Sequence, residues 1–291
     1  MYSDVLAFES SLGVRFAAVL HVGDFGIWPD PQRVDRATRR HEGAGDFPRW
    51  YMERREAPRP TVFIPGNHED FEFLTPYTQP TALLPGLTYL PNGSSTTVEA
   101  NGERLRVGGV GGCFGPETYR RPAAKLHARE RRHYCREHID ALIRRSTHGR
   151  LDVLMTHDAP TGVRLPRHNG GALVSPAEGL ADLVKATRPR VCLFGHHHTR
   201  VDAEIHGVRC IGLNKGPHPG SLVALDMAAD GGHAWQVIGE WPGAGSEEER
   251  GPFLFSPTQV RSAKLIWPDV DLDEPDPMGP STDSRNPENA G

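Results

Sequence analysis

Four short polar clusters each close an apolar run, and together they restrict the chain to folds that gather strand ends in one place. Gly23-Asp24 follows Phe16–Val22, and Gly66-Asn67-His68-Glu69 follows Thr61–Ile64. Thr156-His157-Asp158 follows Leu151–Met155, and Gly195-His196-His197-His198 follows Val191–Phe194. Short apolar runs rich in β-branched residues read as buried strands. Open α/β sheets carry their chemistry in the loops just beyond the carboxyl ends of strands. Asp, Asn and His are oxygen and imidazole ligands suited to Zn, Mn or Fe. The pattern therefore predicts a metal centre assembled from loops spread over most of the chain.

The rest of the sequence supplies the scaffold. Asp4–Leu12 reads as an amphipathic helix stopped by Gly13. Pro48–Glu56 and Pro176–Ala186 read as helices, the second with Ser175 as N-cap ahead of a proline at its first position. Ala123–Arg145 reads as a long basic surface helix or helix pair, and Leu87–Leu90 as a strand. Asn101-Gly102 between Thr97–Ala100 and Leu105–Val107 is a strong hairpin signal. His206-Gly207 and Asp230-Gly231-Gly232 mark two more hairpins, Val201–Ile205 with Val208–Leu213 and Ser221–Met227 with His233–Ile238. Gly108–Gly115 holds five glycines in eight residues, where a strand ends and backbone approaches something closely. Alternating elements followed by a β-meander predict an α/β fold with a mixed or doubled sheet.

After Trp241 the character changes. Residues 1–245 are expected to form the domain, and 246–291 an acidic, proline-rich tail that is partly disordered. Within that tail Phe253, Leu254, Phe255, Leu265, Ile266 and Trp267 are apolar enough to dock onto the body. A formal net charge of -4 argues against bulk nucleic acid or an anionic membrane as partner, while leaving a local basic groove open. No apolar run approaches the ~18 residues that span a bilayer. The amino terminus lacks a basic segment followed by an apolar one, and the four cysteines are widely spaced. Reduced thiols in a cytoplasmic protein are the expectation.

The clusters resemble the calcineurin-like metallophosphoesterase superfamily, marked by Asp-x-His, Gly-Asp, Gly-Asn-His-(Glu/Asp), a lone His after a strand, and Gly-His-x-His. The last four occur here in order, and the resemblance spans roughly Met1 to Trp241. It implies a four-layer α-β-β-α sandwich of two mixed sheets, and two divalent metal ions (Mn, Fe or Zn). Asp24 would bridge them, with Asn67, His157 and His196 completing one site and His198 serving the other. His68 would act as hydrogen-bond donor or general acid beside the leaving group of a phosphate ester. In an extended Gly-His-x-His segment the alternate residues His196 and His198 would face the same side, and His197 would point away. Thr156-His157-Asp158-Ala159-Pro160 is similar to RNA lariat-debranching and related phosphodiesterases, and Gly66-Asn67-His68-Glu69 is shared with Ser/Thr protein phosphatases.

Taken singly the residues say less. Asp24 alone reads as a turn or cap residue, and His157 as a loop histidine. His21 reads as a packed strand residue. His41, His127, His133, His138, His148, His206, His218 and His233 read as solvated. Tyr119, Arg120 and Arg121, after the glycine-rich strand end, could clamp a phosphate bidentately, as could Arg164, Arg167 and His168; a solvated basic surface is the other reading. The family's first motif, Asp-x-His, does not occur before Asp24. Two ligands of the first metal site and one strand are thereby lost. The expectation is a chain that starts late, downstream of its true start, or else a natural one-metal or inactive variant. The function expected is metal-dependent hydrolysis of a phosphomonoester or phosphodiester by water. The alternative is a non-catalytic binding or scaffold protein on the same fold.

Overall fold

The computed structural model describes residues 1–40, 46–100, 103–147, 149–166, 171–227 and 235–243. The Asn101-Gly102 and Asp230-Gly231-Gly232 turns, Arg167, four histidines (His41, His148, His168 and His233) and the tail expected at 246–291 lie outside those residues. The chain opens with α1 (Tyr2–Leu12), stopped by Gly13 at φ 66°. A first sheet follows from β1 (Val19–His21), β2 (Thr61–Phe63), β3 (Thr81–Leu84) and β4 (Leu87–Tyr89), in the order β1-β2-β4-β3. Its connections carry α2 (Asp46–Met52) and α3 (Phe71–Leu74).

The hairpin β5 (Ser94–Ala100) and β6 (Glu103–Val110) begins the second sheet. Then come α4 (Pro116–Tyr119), α5 (Arg136–Ser146) and β7 (Val153–Thr156). A small antiparallel pair, β8 (Arg164–Pro166) and β9 (Ala172–Val174), precedes α6 (Leu180–Thr187) and β10 (Val191–Phe194). The hairpin β11 (Val201–Ile205) and β12 (Val208–Gly212) completes the six-stranded order β11-β12-β10-β7-β6-β5. β13 (Val223–Met227) and β14 (Trp235–Glu240) pair antiparallel. Both larger sheets are mixed: β1, β2 and β4 run parallel, as do β6, β7, β10 and β12, and each sheet adds antiparallel neighbours.

Strand alternation explains the layers. Val62 and Ile64 on and after β2 share an apolar cluster with Val153 and Met155 of β7 and Val191 and Leu193 of β10, so this cluster lies between the sheets. The alternate residues face outward. Phe63 and Tyr89 pack with Phe47 of α2 and Leu74 of α3. Leu154, Cys192 and Phe194 pack with Ile139 and Leu142 of α5 and Leu180, Leu183 and Val184 of α6. Helices, sheet, sheet, helices: the four-layer sandwich expected from the sequence is the one observed.

Three local expectations change. The strand read at Phe16–Val22 is regular only over Val19–His21, because the Phe16 N–H is held by the Glu9 carboxylate and its ring lies edge-on to Phe8. The helix read from Pro176 starts four residues later, at Leu180 after Gly179. The Ser175 hydroxyl donates to the Ala159 carbonyl, 2.7 Å away, rather than capping that helix. The long basic helix is broken into two one-turn 3-10 helices, Ala123–Lys125 and Ala128–Arg132, followed by α5. Leu126, Tyr134 and Cys135 are buried at spacings no single helix face provides.

Candidate metal centre

The four polar clusters meet. β1 and β2 are parallel neighbours, so the Gly23-Asp24 and Gly66-Asn67-His68 loops leave the first sheet side by side. β7 and β10 are parallel neighbours in the second sheet, and this places the His157 and His196 loops together. The Asp24 Oδ1 accepts from the backbone N–H groups of Asn67 (2.8 Å) and His68 (3.0 Å). A Cβ on Gly66 would stand 1.9 Å from that same oxygen, so only glycine admits the contact. Asp24, His196 and His198 all sit at positive φ, between 50° and 63°. Such backbone strain outside glycine concentrates at functional sites.

His157 shows what the cluster lacks. Its ring is buried, and its Nδ1 lies 2.7 Å from the Val22 carbonyl oxygen, which can only accept. Nδ1 therefore carries the proton, and in the neutral ring Nε2 is a bare lone pair. That lone pair faces the Asn67 Oδ1 at 3.0 Å and the Asp24 Oδ2 at 3.5 Å. Three acceptors converge and require positive charge between them. A proton can supply it: Asp24 lies beside His157 and raises its pKa against the effect of burial. In turn burial would raise Asp24, yet the neighbouring His157 and His68 hold it well below the usual carboxylate range. A divalent cation satisfies the same set, and the mixture of imidazole, carboxylate and amide oxygen is one that Zn, Mn and Fe accept. The residues fit a metal.

His196 stands next to His157, ring centroids 5.0 Å apart, and burial first, then His157, pushes it down to about 4, so the ring is neutral and able to ligate. His198 is exposed. The alternation argument for His196 and His198 does not hold, because left-handed backbone at both positions replaces an extended segment. His197 does not point away: its Nε2 lies 2.8 Å from the Asp158 Oδ1, and its ring is 4.9 Å from His196. Ligand atoms of Asp158, His196 and His197 all lie within 4.8 Å of one another.

The sequence profile of calcineurin-like phosphoesterases matches residues 7–200. The chain belongs to this family. Among curated proteins it is similar to the lariat debranching enzyme of Schizosaccharomyces pombe, 27% identical over 67% of this chain and 43% of that enzyme. The Entamoeba histolytica lariat debranching enzyme is 24% identical over 78% of this chain and 68% of its own length. That of Caenorhabditis briggsae is 23% identical over 82% and 51%. The chain spans about half the length of the curated relatives it matches.

Several residues that sequence reasoning passed over pack around the candidate centre. The Asp35 Oδ2 lies 2.9 Å from the His68 Nδ1, while its Oδ1 caps the backbone at Thr38. The hydrogen bond to Asp35 is the main cause that raises His68. Buried Glu69 accepts from Phe25 (2.8 Å), Gly26 (3.1 Å) and Ile27 (2.7 Å), which ties the loop after Asp24 to the loop after β2. Asp158 does the same on the other side, accepting from Phe114 (2.9 Å), Ala159 (2.8 Å) and His197. No motif spacing marks Asp35. Glu69 and Asp158 stand in the clusters, but their role depends on loops about 40 residues away in sequence.

Of the arginines read as phosphate clamps, Arg121 is turned to Glu130 and donates to the Lys125 carbonyl. Arg120 is exposed at the end of α4, and Arg164 is exposed on β8. His21 packs edge-on against Phe25 as a strand residue, with its Nδ1 buried and unpaired. His133 and His138 are not solvated: His133 sits 3.4 Å from the Cys113 thiol, and His138 accepts from the Cys135 N–H. Among the described residues no helix is long and apolar enough to cross a membrane.

Proposed function

We propose that this chain is a metal-dependent phosphoesterase that hydrolyses a phosphate ester by direct attack of water. One observation carries the reading: the His157 lone pair converges on Asn67 and Asp24, with His68 one residue away from that set. Asp24, Asn67, His157 and His196 would hold at least one divalent ion. That ion would supply Lewis acidity to the phosphoryl oxygens and a lowered pKa to the attacking water. Kinship with lariat debranching enzymes favours a phosphodiester over a monoester.

The chain's own residues do the rest. The Val22 carbonyl fixes the His157 tautomer and aims Nε2 inward. Backbone N–H groups of Asn67 and His68 hold Asp24 ionised and in place. Asp35 accepts from His68 Nδ1, which leaves Nε2–H to donate to the leaving-group oxygen. Because Asp35 favours the imidazolium, His68 keeps that proton until the ester bond breaks.

The test is hydrolysis of bis(4-nitrophenyl) phosphate and 4-nitrophenyl phosphate by chelator-stripped protein reloaded with Mn, Fe or Zn, with bound metal measured in parallel. The expected result is turnover that appears only on reloading, faster on the diester, and lost together with bound metal in His157→Ala. Reloaded protein that binds metal but turns over neither ester would refute the reading.

A further inference from the structure

Asp158 and His197 stand beside the centre, and none of the steps above uses their chemistry. β7 and β10 end side by side, and the Gly195 N–H donates to the His157 carbonyl, 3.0 Å away, which fixes the two loops against each other. Each loop then offers two residues able to ligate in succession, His157-Asp158 from one and His196-His197 from the other. His157 faces Asp24 and Asn67. Asp158 faces His197 instead, with its Oδ1 2.8 Å from the His197 Nε2. His196 stands between the two groups, its ring centroid 5.0 Å from that of His157 and 4.9 Å from that of His197.

The backbone is bent to gather these rings. The His197 N–H donates to the Gly195 carbonyl at 2.7 Å, closing a three-residue turn with His196 at its middle, φ 63°. The positive-φ form of this turn is rare and strained. In a regular strand successive side chains point to opposite faces. Here the turn sets the His196 and His197 rings against each other. Asp158 is buried and held in one orientation, its Oδ2 accepting from the Phe114 N–H and its Oδ1 from the Ala159 N–H. A carboxylate has about four lone-pair positions, so Phe114, Ala159 and His197 leave room for one more partner. Among the described residues neither ring nitrogen of His196 has a hydrogen-bond partner. Ligand atoms of the three side chains lie within 4.8 Å of one another. Bonds of about 2.0–2.2 Å to a tetrahedral ion set ligand atoms about 3.4 Å apart, so side-chain shifts of about 1 Å close the set. Two imidazoles and a carboxylate, with a position left for water, make the donor set of an open Zn site. The ion would take the place of the hydrogen between the His197 Nε2 and the Asp158 Oδ1, and the neutral ring would then carry its proton on Nδ1.

We propose that Asp158, His196 and His197 form a divalent-ion site of their own, of the Zn type, beside the set of Asp24, Asn67 and His157. A single bound ion can draw His196 to the Asp24 set; with both sites filled, His196 closes this one. The site is defined by the pair that the neighbouring set does not use, Asp158 and His197.

The experiment strips the full chain with chelator, dialyses it against Zn and counts bound Zn per chain by mass spectrometry, with no ester present. Wild type should hold about two ions and His197→Ala about one. The fall in bound metal expected of His157→Ala is then a fall from about two ions to about one, and the double variant should hold none. Circular dichroism of each variant in chelator checks that it is folded. A second measurement needs no variant at the site: in nitrogen-15 spectra of labelled histidines, Zn should shift the His197 ring nitrogens in wild type and still shift them in His157→Ala. Folded His197→Ala that keeps the wild-type count overturns the proposal, as does a His197 ring that Zn leaves unmoved. Loss of every ion in folded His197→Ala also overturns it, because the two sets would then be one centre. Because bound Zn is what is read, failure here leaves the phosphoesterase reading standing, and absence of ester turnover leaves this site standing.

Discussion

Replacing Glu69 with glutamine should flatten the pH dependence of stability of the metal-free protein. Glu69 is fully enclosed, and burial first, then the Asp24 charge, pushes it up from 4.5 to about 7, against the pull of the backbone N–H groups of Ile27, Phe25 and Gly66. A folded-state pKa above the unfolded value means that the folded protein holds the proton more tightly. The stabilisation is complete below about pH 4.5 and is lost as pH rises through about 7. At about 1.4 kcal/mol per pKa unit the loss is about 3 kcal/mol. The glutamine side chain keeps one oxygen to accept from the Phe25–Ile27 loop but turns an amide N–H₂ toward the rest. The variant should therefore be about 1–2 kcal/mol less stable than wild type near pH 5 and no less stable near pH 7.5. Urea denaturation of both proteins between pH 4.5 and 7.5 in chelator measures this. Adding metal to wild type should reduce the slope, because a cation beside Asp24 cancels part of the repulsion that raises Glu69. A slope equally steep in Glu69→Gln would refute the assignment of that proton to Glu69.

Two further outcomes follow from the same geometry. Asp35→Asn removes the partner that raises His68, so the proton leaves at lower pH; the alkaline limb of the pH–rate profile should move to lower pH and kcat fall about 10–100-fold, with bound metal unchanged. Gly66→Ala forces a methyl group into Asp24 and should cost about 3 kcal/mol, read as a melting temperature lower by about 6–12 °C and as lost metal.

Much of this architecture was legible because local and global signals agree. Val191–Phe194 is a strand at those bounds, and the β11–β12 hairpin turns at His206-Gly207, both at positive φ, as the tight-turn signal requires. The meeting of the four polar clusters was legible for the same reason: each closes a strand, and parallel pairing brings the ends together. Illegible features were those decided by distant partners. Ser175 looks like a helix cap, but a carbonyl sixteen residues back takes its hydroxyl. Asp35 sits in a loop with no period, and only the fold sets it against His68, 33 residues on. The left-handed backbone of His196 and His198 contradicts the extended reading because the loop must turn sharply after β10, and His carries no turn signal.

The hydrogen bond from His157 to the Val22 carbonyl runs from the second sheet to the first, and the candidate ligands divide the same way: Asp24 and Asn67 from one sheet, His157 and His196 from the other. An ion held by all four would act as a rivet through the sandwich. Its binding energy would then hold the two sheets together, and whatever loosens their shared core would weaken the rivet. A cavity made at Val62 or Ile211, neither of them a ligand, should register as faster metal exchange before it registers as unfolding. In such a layout affinity for the ion is a property of the whole interface, and the four side chains are only where it is read out.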